Sequence, residues 1–227
     1  MKSGLETSLA LLSRAPESGK VKTRLHKAYS EEQCLAIYTA MLRDALELAS
    51  AAQGSFRRVS VYWATDWSRS PPHDLAREFQ FFDHLVQHGE DLGTRMYNAM
   101  SSEFARGSQG VVLIGCDSPH LPGTILVQAA EMLRTAEVVL GPSEDGGYYL
   151  IGASRLVREP FERIQWGTSE VLSRTLQILE RLKLRVAVLP SCYDLDRPED
   201  LLRLWTTEQA AGCKHLRQVL SEIFSKT

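Results

Sequence analysis

Four short segments of the chain concentrate side chains that could bind phosphate or a metal ion. The first, residues 13–25, comes directly after a predicted strand and carries four basic side chains. Its residues of interest are Arg14, Gly19, Lys20, Lys22, Thr23 and Arg24. Arginine and lysine bind phosphate oxygens, and glycine lets a backbone approach a ligand closely. Because the glycine spacing of Walker loops and dinucleotide fingerprints is missing, the segment predicts another kind of phosphate-binding loop or, alternatively, a solvated basic loop.

A carboxylate follows the most apolar run of the chain. Residues 111–114 contain no polar side chain, which is typical of a strand buried on both faces, and Asp117 follows three residues later. Mg²⁺ takes carboxylate oxygens and leaves positions for substrate phosphates, so Asp117 is a candidate metal ligand. The alternative is that Asp117 only caps the turn that Ser118 and Pro119 begin.

A pair of carboxylates lies near the C-terminal part of the chain. Asp194 and Asp196 are two positions apart, so their side chains point to the same side of an extended segment. The two could complete a cation site with Asp117. The alternative is an acidic helix start, because residues 198–200 begin with a proline and continue with two acids, as a first helical turn prefers.

Adjacent glycines mark another candidate segment. Asp145 precedes Gly146 and Gly147, and a predicted strand follows them. Two glycines together imply a backbone that passes close to a ligand or to a neighbouring segment. The same pattern also makes a good hairpin turn, so both interpretations stay open.

Two weaker candidates accompany predicted helix starts. Asp91 and Arg95 lie at a helix entry, where free backbone amides favour anions. Trp166 precedes the longest helical pattern in the second half of the chain. Packing at the rim of the core fits this tryptophan better than stacking on a base.

Short apolar runs alternate with stretches of helical periodicity along the chain. Strands are predicted at residues 9–12, 59–64, 111–114, 137–140, 148–151 and 185–189. Helices are predicted from Ser30, with Gln33 completing a capping box, from Asp91, over 124–135, over 168–183 and from Pro198. This alternation predicts an α/β fold with helices on both faces of a sheet. No repeat or linker divides the chain, so a single domain over residues 1–227 is expected.

The bulk composition is that of an ordinary globular protein. The chain is 44% hydrophobic, and its formal net charge is −2, so neither a nucleic-acid partner nor a membrane surface is expected. No apolar run approaches the ~20 residues of a membrane span. The polar start and the four widely spaced cysteines favour a cytoplasmic protein with reduced thiols.

Taken together, four of these segments resemble a known family. The sequences KTRL at 22–25, DSP at 117–119, DGGY at 145–148 and DLDRPED at 194–200 are similar to those of bacterial transferases associated with radical-SAM and selenodomain proteins. Members of that family are commonly labelled glycosyltransferases. The resemblance implies a three-layer α/β/α fold with a mostly parallel mixed sheet, of the nucleotide-diphospho-sugar transferase (GT-A) type. It extends to phospholactate and molybdenum-cofactor guanylyltransferases.

The resemblance also implies roles for individual residues. Asp117 would hold Mg²⁺ or Mn²⁺ that bridges the nucleotide phosphates, with Asp196 or Asp194 as the second ligand. The basic loop would contact those phosphates through Arg14, Lys22 and Arg24, and the two glycines at 146–147 would line the acceptor side. Arg197 departs from the family pattern, which often has a threonine there, and adds a cation near the expected metal site.

Three functional hypotheses follow. The first is a metal-dependent transferase that uses a nucleotide or nucleotide sugar and a small-molecule acceptor, with Asp117 and Lys22 as catalytic residues. It transfers either a glycosyl group or a nucleotidyl group with release of pyrophosphate. The second is a catalytically silent nucleotide-binding regulator. A nicotinamide-dependent oxidoreductase ranks last, because no Gly-x-Gly-x-x-Gly follows the first strand.

Overall fold

The computed structural model of the protein describes residues 5–64, 73–207 and 212–225. The described strands are β1 (Thr7–Arg14), β2 (Val59–Ala64), β3 (Asp83–Val86), β4 (Gly110–Ile114), β5 (Val138–Pro142), β6 (Tyr148–Ala153) and β7 (Val186–Val188). The helices are α1 (Glu31–Ala52), α2 (His73–Glu78), α3 (Leu92–Ala105), α4 (Gly123–Met132), α5 (Val171–Arg181), α6 (Pro198–Thr206) and α7 (Lys214–Phe224).

The seven strands form one mixed sheet in the order β3-β2-β1-β4-β6-β5-β7. All neighbouring pairs are parallel except those of β6, which runs antiparallel to β4 and to β5. β1 lies between β2 and β4, and Leu11 pairs with Ile114. The carboxyl ends of β1 and β4 therefore lie side by side, and the segments that follow them begin at the same edge of the sheet.

Helices cover both faces of the sheet. One apolar cluster joins the sheet to α1 and α4 through residues such as Leu46 and Leu126, and another joins it to α3 and α5 through Met100 and Leu179. Such a two-sided arrangement buries β1 and β4 almost completely. The predicted three-layer α/β architecture with a mostly parallel sheet is confirmed.

A third apolar cluster packs α6 and α7 against α1. α7 was not predicted from the sequence. It buries Leu216 and Leu220, and the carboxylate of Asp44 in α1 accepts hydrogen bonds from the first backbone amides of α7, those of His215 and Leu216. Among the described residues, every helix is too short or too polar to cross a bilayer.

Several element boundaries differ from the sequence-based expectation. The edge strand β3 was missed because its four residues are all half-buried and lack an apolar run. The helix expected over 168–183 begins only at Val171, because residues 168–170 form a turn that packs on Gly146. The helix expected over 124–135 ends at Met132.

Candidate functional site

A cleft of about 620 Å³ opens at the carboxyl ends of β1 and β4. Its walls combine side chains of the basic loop with Asp117, with the 194–196 segment, with the start of α3 and with the β5–β6 connection. Ten charged residues line it, five basic and five acidic. They are Arg14, Lys20, Lys22, Arg24, Arg95, Glu90, Asp117, Asp145, Asp194 and Asp196.

Tyr38 fixes the point where β1 enters the basic loop. Its hydroxyl donates to the Arg14 carbonyl oxygen at 3.1 Å and accepts from the Arg14 amide at 3.0 Å. Tyr38 comes from the buried face of α1, where it is only 3% exposed. Arg14, whose side chain lines the cleft, therefore has a backbone held at both its amide and its carbonyl.

Lys22 is the most enclosed charge of the site. Its backbone adopts a left-handed conformation (φ 47°) just before a 3₁₀ turn over Thr23–Lys27, and its side chain is 4% exposed. The ammonium donates to Asp117 Oδ1 at 2.7 Å, to the Leu195 carbonyl at 2.8 Å and to Asp196 Oδ1 at 2.9 Å. These three bonds satisfy all three ammonium protons. Burial alone would lower the pKa of Lys22, but Asp117 and Asp196 raise it well above the usual value.

Asp196 is held by its own segment as well as by the basic loop. Its backbone amide and that of Arg197 both donate to Asp200 Oδ2, and the Leu195 amide donates to the Asp117 carbonyl at 2.9 Å. Its second carboxylate oxygen accepts from Arg24 at 2.8 Å. Burial acts to raise the pKa of Asp196, but the two cations outweigh burial and hold the pKa below its usual range. Asp200 therefore has two roles, because it caps the start of α6 and also positions Asp196.

Asp194 faces a different set of partners. Its carboxylate accepts from the Ser118 hydroxyl and, at 2.9 Å, from the Ser143 hydroxyl, so it ties the segments after β4 and β5 to its own. Burial is the main cause that raises the pKa of Asp194 to about 6, and the charges of Asp117 and Asp145 add to it. Asp194 lines the cleft but does not share the ammonium of Lys22.

Asp145, Gly146 and Gly147 form the turn between the antiparallel strands β5 and β6, so the hairpin interpretation describes the backbone correctly. Asp145 Oδ1 accepts from the Gly147 amide at 3.0 Å. Gly146 has φ 91°, and a Cβ on it would lie 2.2 Å from the Ser169 carbonyl oxygen. The double glycine therefore permits close approach to a neighbouring segment at Gly146, whereas Asp145 and Gly147 line the cleft.

Trp166 closes one side of the cleft. Its ring meets the Tyr148 ring edge to face at 6.2 Å, and a Cβ on Gly93 would lie 2.7 Å from its Nε1. Arg95, two residues further along α3, also lines the cleft and donates from Nε to the Gly89 carbonyl at 2.9 Å. Trp166 is thus wedged against α3 and still reaches the cleft, which is compatible with both packing and ligand contact.

Three sequence-derived candidates lie outside the cleft lining of the described chain. Asp91 is the N-cap of α3, with its carboxylate bonded to the Thr94 amide at 2.8 Å. Gly19 has φ 74° and lies beside the Glu31 carboxylate. Gly146 contacts Ser169, as described above. The remaining candidates all line the cleft, namely Arg14, Lys20, Lys22, Thr23, Arg24, Arg95, Asp117, Asp145, Gly147, Trp166, Asp194 and Asp196.

Several residues of the site were not found from the sequence. Ser118 and Ser143 hold Asp194, and Gln87 donates from Nε2 to the carbonyls of Ser13 and Tyr62 at 3.0 and 2.8 Å. Ser118 could have been suspected from its place beside Asp117. Gln87 gave no signal, because it follows the edge strand β3 that the apolar pattern did not reveal.

The donor set at Asp117 suits a divalent cation. Mg²⁺ is usually bound by one or two carboxylates with phosphates and water completing its shell. The Asp117 side chain is 49% exposed and faces the cleft, and Asp196 lies on the other side of the same ammonium. Among the described residues, Asp117, Asp194 and Asp196 do not converge on a single three-ligand point. A cation here would therefore take Asp117 with one partner.

Comparison with solved structures identifies several proteins of the same fold. A protein of Desulfovibrio desulfuricans G20, provisionally assigned as a nucleotide-diphospho-sugar transferase, is 28% identical, with a TM-score of 0.84 over 97% of this chain and 96% of that one. A 4-diphosphocytidyl-2C-methyl-D-erythritol synthase has a TM-score of 0.57 at 9% identity, over 95% of this chain and 98% of that one. CMP:2-keto-3-deoxy-manno-octonic acid synthetase, solved with CTP, has a TM-score of 0.55 at 11% identity, over 92% and 99%.

A family comparison covers more than half of the sequence. The search of curated proteins found no match. The bacterial family described as uncharacterised conserved proteins (DUF2064) matches residues 44–168, a region that includes Asp117, Asp145 and Trp166. The chain therefore belongs to the DUF2064 family of bacterial proteins, on a fold shared with nucleotide-diphospho-sugar transferase-like enzymes.

Proposed function

We propose that residues 1–227 form a single-domain, divalent-metal-dependent transferase that binds a nucleotide or nucleotide sugar in this cleft and acts on a small-molecule acceptor. One observation carries the proposal: the Lys22 ammonium lies between Asp117 and Asp196, so the basic loop and the acidic segments share one edge of the sheet. In open α/β sheets ligands bind at the carboxyl ends of the strands. The fold and the name of the Desulfovibrio relative support the same class.

The phosphate groups of the nucleotide would lie against the basic loop. Lys22 and Arg24 pair with the site carboxylates Asp117 and Asp196, whereas Lys20 pairs with Glu17, and Arg14 and Lys20 also line the cleft. Arg95 adds a cation from the start of α3, and Thr23 a hydroxyl at the 3₁₀ turn. Gly19 and Asp91 would act indirectly by shaping the loop and the helix start. Preorganised cations of this kind stabilise charge that develops on phosphates in the transition state.

The charge balance of the cleft argues for a cation that enters with the nucleotide. Five acidic side chains offset the five basic ones, so the lining by itself has no excess charge for a polyphosphate. Asp117 is the residue placed to hold Mg²⁺ or Mn²⁺, with Asp196 or Asp194 as its partner. A divalent ion held there would supply positive charge to offset that of the nucleotide phosphates.

The acceptor would enter from the side of the β5–β6 turn. Asp145 and Gly147 line that side, and Trp166 closes it with Tyr148. An aromatic wall beside a carboxylate suits an acceptor with hydroxyl groups on a partly apolar ring or chain. Tyr148 and Trp166 would exclude water from the transferred group.

The two possible reactions differ in the bond that breaks. The family resemblance, including the group associated with radical-SAM proteins, favours glycosyl transfer from a nucleotide sugar. The concentration of cations in the loop favours a triphosphate and hence nucleotidyl transfer with release of pyrophosphate. All four cysteines are free thiols, which fits our further proposal of a cytoplasmic enzyme.

A ³¹P NMR assay separates these reactions. The purified protein is incubated with each common nucleoside triphosphate or nucleotide sugar, with Mg²⁺ or with EDTA, and with a panel of phosphorylated and hydroxylated acceptors. Pyrophosphate released from a nucleoside triphosphate identifies nucleotidyl transfer, and a nucleoside diphosphate released from a nucleotide sugar identifies glycosyl transfer. Nucleotide binding without metal dependence and without turnover of any substrate would favour a silent regulator, and the absence of both binding and turnover would refute the proposal.

A further inference from the structure

The ammonium of Lys22 lies between the carboxylates of Asp117 and Asp196, two of the candidate metal ligands. Its nitrogen is 2.7 Å from Asp117 Oδ1 and 2.9 Å from Asp196 Oδ1. These two Oδ1 atoms cannot both bind a dication while they accept hydrogen bonds from the same ammonium, so an ion that needs both of them must displace Lys22. Two positive centres would also repel each other at this short range.

This competition is not relieved by deprotonation of Lys22. The pKa of Lys22 is raised above its usual value because the two carboxylates outweigh the effect of burial, so the side chain stays charged at physiological pH. The third contact, with the Leu195 carbonyl at 2.8 Å, completes the hydrogen bonding of the ammonium. Lys22 therefore acts as a fixed counter-ion for Asp117 and Asp196.

Nucleotide phosphate changes the situation. A phosphate oxygen in the cleft offers the Lys22 ammonium a new anionic acceptor, and the carboxylate oxygens then become free to bind metal. Asp196 would keep one cationic partner after this exchange, because Arg24 donates to its other oxygen at 2.8 Å. Lys22 thus has two alternative sets of acceptors, one within the protein and one on the ligand.

We infer that Lys22 blocks the divalent-cation site until a nucleotide phosphate draws its ammonium away from Asp117 and Asp196, so that metal and nucleotide bind with positive coupling. This inference rests on the proposed function for the identity of the phosphate ligand. Its core, competition between one ammonium and a dication for the same oxygens, depends only on the contacts of Lys22. Coupling between two ligands is reciprocal, so the metal strengthens nucleotide binding by the same factor.

Mn²⁺ alone tests the competition without any substrate. Free Mn²⁺ is measured by electron paramagnetic resonance in titrations of the wild type, Lys22→Met, Lys20→Met and the double variant Lys22→Met with Asp117→Asn. Methionine is unbranched and nearly as long as lysine, and it adopts the left-handed backbone conformation about as readily as lysine does. The variant therefore removes mainly the charge. Lys20 lies on the same loop, is 74% exposed and pairs with Glu17 at 2.5 Å rather than with Asp117.

Lys22→Met is expected to bind Mn²⁺ at least about tenfold more tightly than the wild type, within the usual range of coupling between sites. Lys20→Met is expected to match the wild type within about twofold, and the double variant to lose the gain. Equal Mn²⁺ affinity in the wild type and Lys22→Met, or a gain that survives Asp117→Asn, would overturn the inference. Circular dichroism of each variant verifies that the fold is intact.

The outcomes for the inference and for the proposed function can be told apart. Metal-dependent turnover by the wild type with no gain of Mn²⁺ affinity in Lys22→Met would overturn the competition and leave the transferase intact. A tenfold gain in a protein that neither binds nor converts any nucleotide would support the competition and refute the transferase.

Discussion

The Lys22 ammonium donates a 2.7 Å hydrogen bond to Asp117, although the two residues are 95 positions apart in the chain. The sheet brings them together, because β1 and β4 are parallel neighbours. The loop that carries Lys22 follows β1, and the segment that carries Asp117 follows β4. The pair joins a half-exposed carboxylate to a buried ammonium, and a salt bridge of this kind is weak evidence for a stabilising role. A role in binding explains the pair better.

Asp117→Ala is expected to abolish turnover while the fold stays intact. The side chain is about half exposed, and Asp196 and the Leu195 carbonyl still accept from Lys22 when it is removed. Loss of a group that stabilises transition-state charge lowers kcat by about 10²–10³ or more. Turnover is measured by release of pyrophosphate or nucleoside diphosphate, and stability by thermal unfolding. Unchanged turnover would refute the role of Asp117 in metal binding.

Gly146→Ala should destabilise the protein strongly. The new Cβ would lie 2.2 Å from the Ser169 carbonyl oxygen, and φ 91° is unfavourable for alanine, so a loss of more than about 2 kcal/mol is expected in urea unfolding. Gly167→Ala is the matched control, because φ there is 78° but no atom lies within 4 Å of the added Cβ. That variant should lose only about 1 kcal/mol, the strain of the left-handed backbone. Equal losses in both variants would mean that the contact with Ser169 has no energetic weight.

Much of this architecture can be read from the sequence, and the reasons are local. The uninterrupted apolar run 111–114 allowed only a buried strand, and Ser30 with Gln33 forms the capping box that starts α1. The position of Asp117 directly after this strand already predicted that it lies at the edge of the sheet where ligands bind. These features depend on neighbouring residues, which a sequence displays directly.

Other features depend on contacts between distant segments and could not be predicted. Asp194 and Asp196 were expected to face one cation together. Instead, Asp194 accepts hydrogen bonds from the serines at 118 and 143, whereas Asp196 accepts them from Lys22 and Arg24. α7 begins where Asp44 of α1 caps it, a partner 171 positions away from His215. No local pattern reveals such partners.

Asp194 should make stability depend on pH in a defined direction. Its pKa in the folded protein, about 6, is above the usual value of about 3.9, so the fold favours its protonated form. The stabilisation is complete below about pH 4 and is lost as pH rises through about 6. The free energy of unfolding of the wild type relative to Asp194→Asn is therefore expected to fall by about 1–3 kcal/mol between pH 4 and pH 7.

Urea unfolding of both proteins at several pH values measures this difference. Groups that titrate in both proteins cancel in the comparison. A difference that stays constant, or that grows in favour of the wild type as pH rises, would show that Asp194 is ionised without penalty in the folded protein.

Tyr38→Phe should loosen the start of the basic loop. The hydroxyl bonds both the amide and the carbonyl of Arg14, and its loss leaves these groups without that partner, at a cost of about 1–3 kcal/mol in urea unfolding. A rise in the KM for nucleotide should accompany the loss because Arg14 is less well positioned. Tyr97→Phe keeps the ring contacts with Phe161 and Arg158 and serves as the control, with neither effect expected. An unchanged KM for nucleotide in Tyr38→Phe would show that the positioning of Arg14 by Tyr38 does not contribute to nucleotide binding.

Calorimetric titration of nucleotides into the wild type and Lys22→Met, with Mg²⁺ and with EDTA, tests whether Lys22 and a divalent ion bind the nucleotide together. At least one nucleoside triphosphate or nucleotide sugar is expected to bind the wild type in a metal-dependent way. Lys22→Met is expected to weaken this binding at least about tenfold, since a charge-assisted hydrogen bond contributes roughly 1.5–3 kcal/mol. Identical affinities in the two proteins, or no nucleotide binding by a folded wild type, would contradict this expectation.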